Sequence, residues 1–156
     1  MDRWTVGFWH ERIRAAMQGG KGLREAISDC GSDVNYWKRI DGQAQAILAE
    51  HVQPGDKVLD VGCGLGDLSA LLPPDVVYVG VDFVPEFVAE AERRFPSREF
   101  VGGDLHDLSR FADRSFDWVI ARGGTSEVNP EMRRVACGAV LMSFSDPVQA
   151  DVARWG

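Results

Sequence analysis

Val58-Leu59-Asp60-Val61-Gly62-Cys63-Gly64-Leu65-Gly66 is the stretch that decides the fold. Residues 58–61 are apolar apart from Asp60 and read as a short strand buried on both faces. Glycine then recurs at alternate positions, which removes Cβ atoms where a ligand must approach the backbone. A turn of this kind, following a first strand, lies at the carboxyl end of an open α/β sheet, where such sheets bind ligands.

Downstream, strands and helices alternate. A helix is expected from about Gly66 to just before Pro73-Pro74, then a second strand over residues 76–81. Pro85 suits a first helical turn, Phe87, Val88, Ala91 and Phe95 supply that helix's apolar face, and Pro96 closes it. Further strands are expected over residues 99–101, 116–121 and 138–144, with helices near 105–111 and 127–135. This alternation implies a Rossmann-like, doubly wound α/β fold with a mostly parallel sheet of about five strands.

Upstream, a helix is expected over about residues 33–51, burying Val34, Trp37, Ile40, Ala44, Ile47 and Leu48, and Pro54-Gly55 stops it. Residues 1–32 read as a helical appendage or lid, and 33–156 as the main domain. Within the appendage Trp9, Ile13, Ala16 and Met17 form an amphipathic stripe. Leu23, Ala26 and Ile27 suggest another helical turn after the Gly19-Gly20-Lys21-Gly22 break, and Cys30-Gly31-Ser32-Asp33 a turn into the next helix. The aromatic residues Trp4, Phe8, Trp9, Tyr36 and Trp37 suit either core or a lid.

The 156-residue chain fits one domain, with 24 acidic against 17 basic residues and a formal net charge of −7. A general nucleic-acid binder needs a basic face, so a nucleic-acid partner is not expected. Arg93-Arg94 and Arg133-Arg134 read as solvated helix faces. Three cysteines without CxxC spacing suggest neither a disulfide framework nor a zinc site, and the three histidines share no metal-ligand spacing. With no apolar run long enough to span a bilayer and no leader-like N-terminus, the expectation is a cytoplasmic protein.

The charge around the glycine turn selects the ligand. Dinucleotide sites favour G-x-G-x-x-G with the helix N-terminus facing a pyrophosphate. Here the pattern is G-x-G-x-G, with Asp67 where the third dinucleotide glycine falls and Asp60 two residues before Gly62. Anions there repel pyrophosphate and suit a ligand carrying an ammonium and a sulfonium. Each carboxylate also has an ordinary use, Asp60 and Asp104 as turn or helix caps and Asp82 as a strand end. Cys63 reads as a small filler.

Over residues 43–144 the sequence resembles the class I S-adenosylmethionine-dependent methyltransferases, the methyltransferase domain family. Asp60-x-Gly62-x-Gly64-x-Gly66 is similar to that family's first motif and Val79-Gly80-Val81-Asp82 to its second. Gly102-Gly103-Asp104-Leu105 is similar to the motif after the third strand, and Ser115-Phe116-Asp117-Trp118-Val119-Ile120-Ala121 to the fourth strand. The resemblance implies S-adenosylmethionine as cofactor, bound by Asp60, Gly62, Cys63, Gly64, Asp82, Phe83, Asp104, Leu105 and Ala121. The same resemblance implies that Asp82, twenty residues after Gly62, is to take the ribose hydroxyls, Phe83 to contact adenine and Asp104 to read the adenine amino group. The carboxylate of Asp82 is accordingly expected to serve the site rather than the fold.

Methyl transfer from a sulfonium needs mainly proximity and exclusion of water, so no catalytic side chain is declared. Ala121-Arg122-Gly123-Gly124 replaces the Asn/Asp-Pro-Pro-Tyr-like motif of amino-group methyltransferases, which points to a small-molecule substrate. Arg122 suits either a substrate carboxylate or a pair with an Asp or Glu of the chain, His106 either a base or a structural or solvent-exposed position, and Tyr36 and Arg39 are candidates for the methionine carboxylate. The alternative is a catalytically idle cofactor-binding module or partner subunit. The family sheet ordinarily ends in an antiparallel hairpin, for which residues 146–156 with a helix are too few, so that hairpin is expected to be lacking. An almost wholly apolar fifth strand would then need cover, by a homodimer through its edge as the simplest remedy, or by the aromatic N-terminal segment or a different protein.

Overall fold

The computed structural model describes residues 6–20, 34–123 and 125–155. The expected turns around Leu23 to Ile27 and Cys30 to Asp33, and Trp4 of the aromatic set, lie outside them. Two helices, α1 (Val6–Gln18) and α2 (Val34–His51), precede β1 (Lys57–Val61). Next come a 3-10 turn (Asp67–Leu71), β2 (Val77–Asp82), α3 (Pro85–Arg94) and β3 (Glu99–Gly102). The chain then forms β4 (Trp118–Arg122), α4 (Pro130–Val135), β5 (Gly138–Met142) and β6 (Ala150–Arg154). The strands make one sheet in the order β3-β2-β1-β4-β5-β6. The first five are parallel and β6 is antiparallel to β5.

That order contains one reversal. After β1 the chain builds outward through β2 and β3, then returns to place β4 on the other side of β1. The crevice between the carboxyl ends of β1 and β4 is therefore the topological switch point, where open α/β sheets bind ligands. Val61 stands opposite Ala121 in the ladder, so Gly62 and Arg122 begin the two lips of that crevice.

Alternation along the strands splits the core into two layers. Val58, Tyr78, Trp118, Ile120, Val140 and Met142 face one side, where Ala44, Leu48 and Val52 of α2 and its extension cover them. Leu59, Val61, Val79, Val81, Val119, Ala121, Ala139 and Leu141 face the other, against Leu108, Phe116, Met132 and Val135. Ile40, Ala44 and Leu48 are the buried stripe of α2, as their helical spacing predicts. A third, smaller cluster joins Ile13 and Ala16 of α1 to Leu65, Val84 and Phe87, with Trp9 and Phe83 packed against it.

Four expectations require correction. The helix after the glycine turn is a five-residue 3-10 segment, because Pro73-Pro74 leaves too few residues for an α-helix to propagate. Residues 105–111 form turns, not a helix. Their polar backbone groups are met from α4 and its cap instead. The Arg134 guanidinium donates to the carbonyls of Leu108 and Phe111, Glu131 accepts from the Leu108 amide, and Asn129 donates to the Leu105 carbonyl. The helix expected over 127–135 begins only at Pro130, since Asn129 caps it by accepting from the Met132 amide. Finally, β5 stops at Met142, and the tail returns as β6 after a turn in which Ser143 donates to the Gln149 carbonyl.

The sixth strand changes the argument about edges. Ala150 to Arg154 pair in register with Met142 to Gly138, and the Trp155 indole N–H donates to the carbonyls of Ala136 and Arg133. The edge of β5 is covered by its own chain, so the case for a homodimer through that edge loses its basis. Among the described residues no helix is long and apolar enough to cross a membrane.

Candidate functional site

The glycine turn is a left-handed corner. Gly62, Gly64 and Gly66 have φ of 71°, 55° and 83°, a region that side-chain-bearing residues enter at a cost. Its N–H groups are directed inward. Those of Gly62 and Cys63 donate to the Val81 carbonyl at 2.8 and 3.0 Å, that of Gly66 to the Cys63 carbonyl at 2.9 Å, and that of Gly64 to the Asp82 carboxylate at 2.9 Å. A pyrophosphate would need such groups turned toward it, together with a helix N-terminus. The turn offers neither, because a short 3-10 segment with acidic Asp67 in its first turn follows it.

Asp82 therefore does more than the sequence suggests. Its second carboxylate oxygen accepts from the Val84 amide at 2.9 Å, so one side chain ties the glycine turn to the start of α3. Burial pushes its carboxyl above the ordinary 3.8, while the Val84 and Gly64 amides pull it back. The expectation that Asp82 serves only a ligand is corrected: it also braces the fold.

Beneath the turn lies Asp60, only 2% exposed. The Tyr78 hydroxyl donates to it across 2.5 Å. This contact needs Gly80, which stands opposite Asp60 in the ladder. A Cβ there would come within 2.8 Å of the Phe100 ring and 2.9 Å of the Tyr78 hydroxyl. Desolvation by burial pushes the Asp60 carboxyl up to about 7. The Tyr78 hydroxyl opposes the rise, Asp82 adds to it, and the Arg122 charge opposes it. Burial, reinforced by the Asp60 and Asp82 charges, also raises the Cys63 thiol, so Cys63 is a packed filler and not an activated nucleophile.

The remaining expected residues sit around the same crevice. Phe83 is half-buried beside α1, and Ala121 is fully buried at the end of β4. Leu105 is half-buried, whereas Asp104 is exposed and accepts from the His106 amide at 2.8 Å. His106 places its ring 3.0 Å from the same carboxylate. Tyr36 and Arg39 face the segment after β5: Tyr36 donates to the Phe144 carbonyl, and Arg39 pairs with Asp146 at 3.0 Å.

Arg122, the candidate at the end of β4, is paired with a carboxylate of the chain itself. It is 8% exposed, donates through Nη2 to Asp41 of α2 at 2.7 Å, and lies 4.8 Å over the Phe144 ring. Its Nε is buried and has no hydrogen-bond partner among the described residues. The arginine pairs read as solvated faces are also divided. Arg93 pairs with Glu90, but Arg94 grips the Leu65 carbonyl at 3.0 Å and Asp67 at 2.6 Å. Sequence reasoning missed Tyr78, which reaches Asp60 from the neighbouring strand, and Arg94, which reaches the turn from the end of α3, because their local patterns are those of core and of helix surface.

Comparison with known proteins agrees with this geometry. Residues 58–142 match the family model described as the methyltransferase domain. The demethylmenaquinone methyltransferase of Beutenbergia cavernae is 42% identical over 135 residues, covering 80% of this chain and 53% of the relative. That of Thermotoga maritima is 36% identical over 124 residues, covering 76% and 51%. A solved S-adenosylmethionine-dependent methyltransferase from Methanosarcina mazei superposes with a TM-score of 0.53 at 29% identity, over 62% of this chain and 55% of that one. The chain spans about half the length of the curated relatives it matches.

Proposed function

Because the chain belongs to the methyltransferase domain family, we propose that it transfers a methyl group from S-adenosylmethionine to a quinone-type small molecule. The observation that carries the cofactor half is the pairing of an inward-tied glycine turn with two buried carboxylates at the switch point. Buried carboxylates accept hydrogen bonds and attract cations, which fits a ribose diol and an ammonium and does not fit a pyrophosphate. When bound, the cofactor supplies an activated methyl group on a sulfonium. Asp60 would then serve the ammonium and Asp82 the ribose hydroxyls, with Phe83, Asp104 and Leu105 beside the base. Gly62, Cys63, Gly64 and Ala121 let the ligand approach the main chain. In this reading residues 1–32 act as a lid, with α1 lying against Leu65 of the turn and Phe87 of α3 and keeping water from that end of the crevice.

The acceptor reading rests on the relatives, whose names give demethylmenaquinone as the substrate. Labelled S-adenosylmethionine incubated with chemically reduced demethylmenaquinone and the full chain should yield a labelled, extractable quinone. Cofactor binding without transfer to any reduced quinone would overturn the acceptor assignment.

A further inference from the structure

Gly62, Gly64 and Gly66 leave the corner at 62–66 with little conformational preference of its own. An α-helix continuing straight from the corner would fix its exit. The 3-10 segment Asp67–Leu71 that follows is too short for that, since so few residues close few hydrogen bonds among themselves. The path of the main chain leaving the turn is therefore set by whatever grips it from outside.

The grip comes from α3 and the connection to β3. Arg94, in the last turn of α3, donates through Nη1 to the Leu65 carbonyl at 3.0 Å and through Nη2 to the Asp67 carboxylate at 2.6 Å. Its side chain is only 21% exposed. Between those two anchor points, a Cβ on Gly66 would come within 2.8 Å of the Phe100 ring and 3.1 Å of Phe95, so the main chain lies directly against both rings. Arg98 takes the far end of the segment. It donates to the Val76 carbonyl at 2.7 Å and to those of Ser69 and Pro73 at 3.2 Å. At the opposite end of α3, Asp82 joins the Gly64 amide to that of Val84. Residues 64 to 67 are thus held one after another from α3 and its two ends, and Arg94 spans the exit of the turn. Its planar fork meets a carbonyl and a carboxylate together, which a lysine ammonium does not reproduce.

We propose that Arg94 is a positioning residue for cofactor binding: through the Leu65 carbonyl and Asp67 it sets the path of the main chain out of the glycine turn, while Arg98 anchors only the far end of the 3-10 segment. The inference rests on the cofactor reading above, in which the ligand lies against Gly62, Cys63 and Gly64, and it adds the side chain that keeps that backbone in place from behind.

Calorimetry with S-adenosylhomocysteine, on full chains that denaturant curves show to be folded, separates position from stability. Arg94→Gln should bind at least about tenfold more weakly than the wild type, the scale of a hydrogen bond to a charged group. Arg94→Lys restores the charge beside Asp67 but not the fork, and should remain at least about threefold weaker. Arg98→Lys should unfold at lower denaturant yet bind within about twofold of the wild type. If Arg94→Gln does not fold, Arg94→Lys decides the matter, and failure of both to fold would make Arg94 a residue of the fold alone and overturn the proposal. So would a folded Arg94→Gln that binds like the wild type, or an Arg98→Lys that loses as much affinity as the Arg94 variants. Failure of the wild type to bind S-adenosylhomocysteine overturns the cofactor reading itself.

Discussion

Replacing Asp60 with Asn should make the protein more stable and less able to bind its ligand. In the folded chain burial raises the Asp60 carboxyl from 3.8 to about 7. Between those values the native state holds a proton that the unfolded state has released. Stability is therefore complete below the unfolded value and is lost as pH rises toward the folded one. At about 1.4 kcal/mol per pH unit the whole window amounts to about 4 kcal/mol. Asn mimics the protonated acid at every pH and escapes the loss. Urea unfolding of both proteins from pH 5.5 to 8 stays above the isoelectric point near 4.9. Over that range the wild type should fall relative to Asp60→Asn by about 2 kcal/mol and level off above pH 7. The same variant should bind S-adenosylhomocysteine at least about tenfold more weakly, because a neutral amide replaces the partner of the ammonium. A difference that stays flat with pH, or one that grows in favour of the wild type, refutes the account of Asp60 as a carboxylate held against its own solvation.

Two further outcomes follow from the braces. Asp82→Ala should lower the unfolding free energy by about 1–3 kcal/mol even without ligand, because the Gly64 and Val84 amides lose their acceptor, and should also weaken cofactor binding; calorimetry with chemical denaturation reads both. Trp155→Phe should cost about 1 kcal/mol in denaturant unfolding by removing the indole donor from the Ala136 carbonyl, and an unchanged midpoint would show that β6 is held by its ladder alone.

The sequence made the parallel core legible because strands buried on both faces are short apolar runs that little else imitates. Residues 58–61 and the stretch from Val76 to Val81 were readable on that basis, and the observed strands begin within a residue of them. What escaped was set by contacts between distant segments. Ala150 to Arg154 has exposed side chains throughout and no apolar alternation, so its strand character comes from the partner it pairs with. The failed helix at 105–111 has helix-like apolar spacing, but Arg134 and Glu131 supply its backbone with partners that no local pattern announces. The same holds at the site. The acidic positions were visible from their spacing to the glycines. The Tyr78 contact became visible only once the register set Gly80 beside Asp60.

The loop bearing Asp104 and Leu105 hangs from α4 by those hydrogen bonds. Asn129 holds the Leu105 carbonyl, Glu131 the Leu108 amide, and Arg134 the carbonyls of Leu108 and Phe111. Its conformational entropy is thus surrendered during folding and not during association. A ligand settling against this rim forfeits mainly its own translational, rotational and torsional freedom. Affinity for the base end of the ligand is therefore coupled to an arginine on the helix behind the loop, and tuning it does not require touching the rim itself.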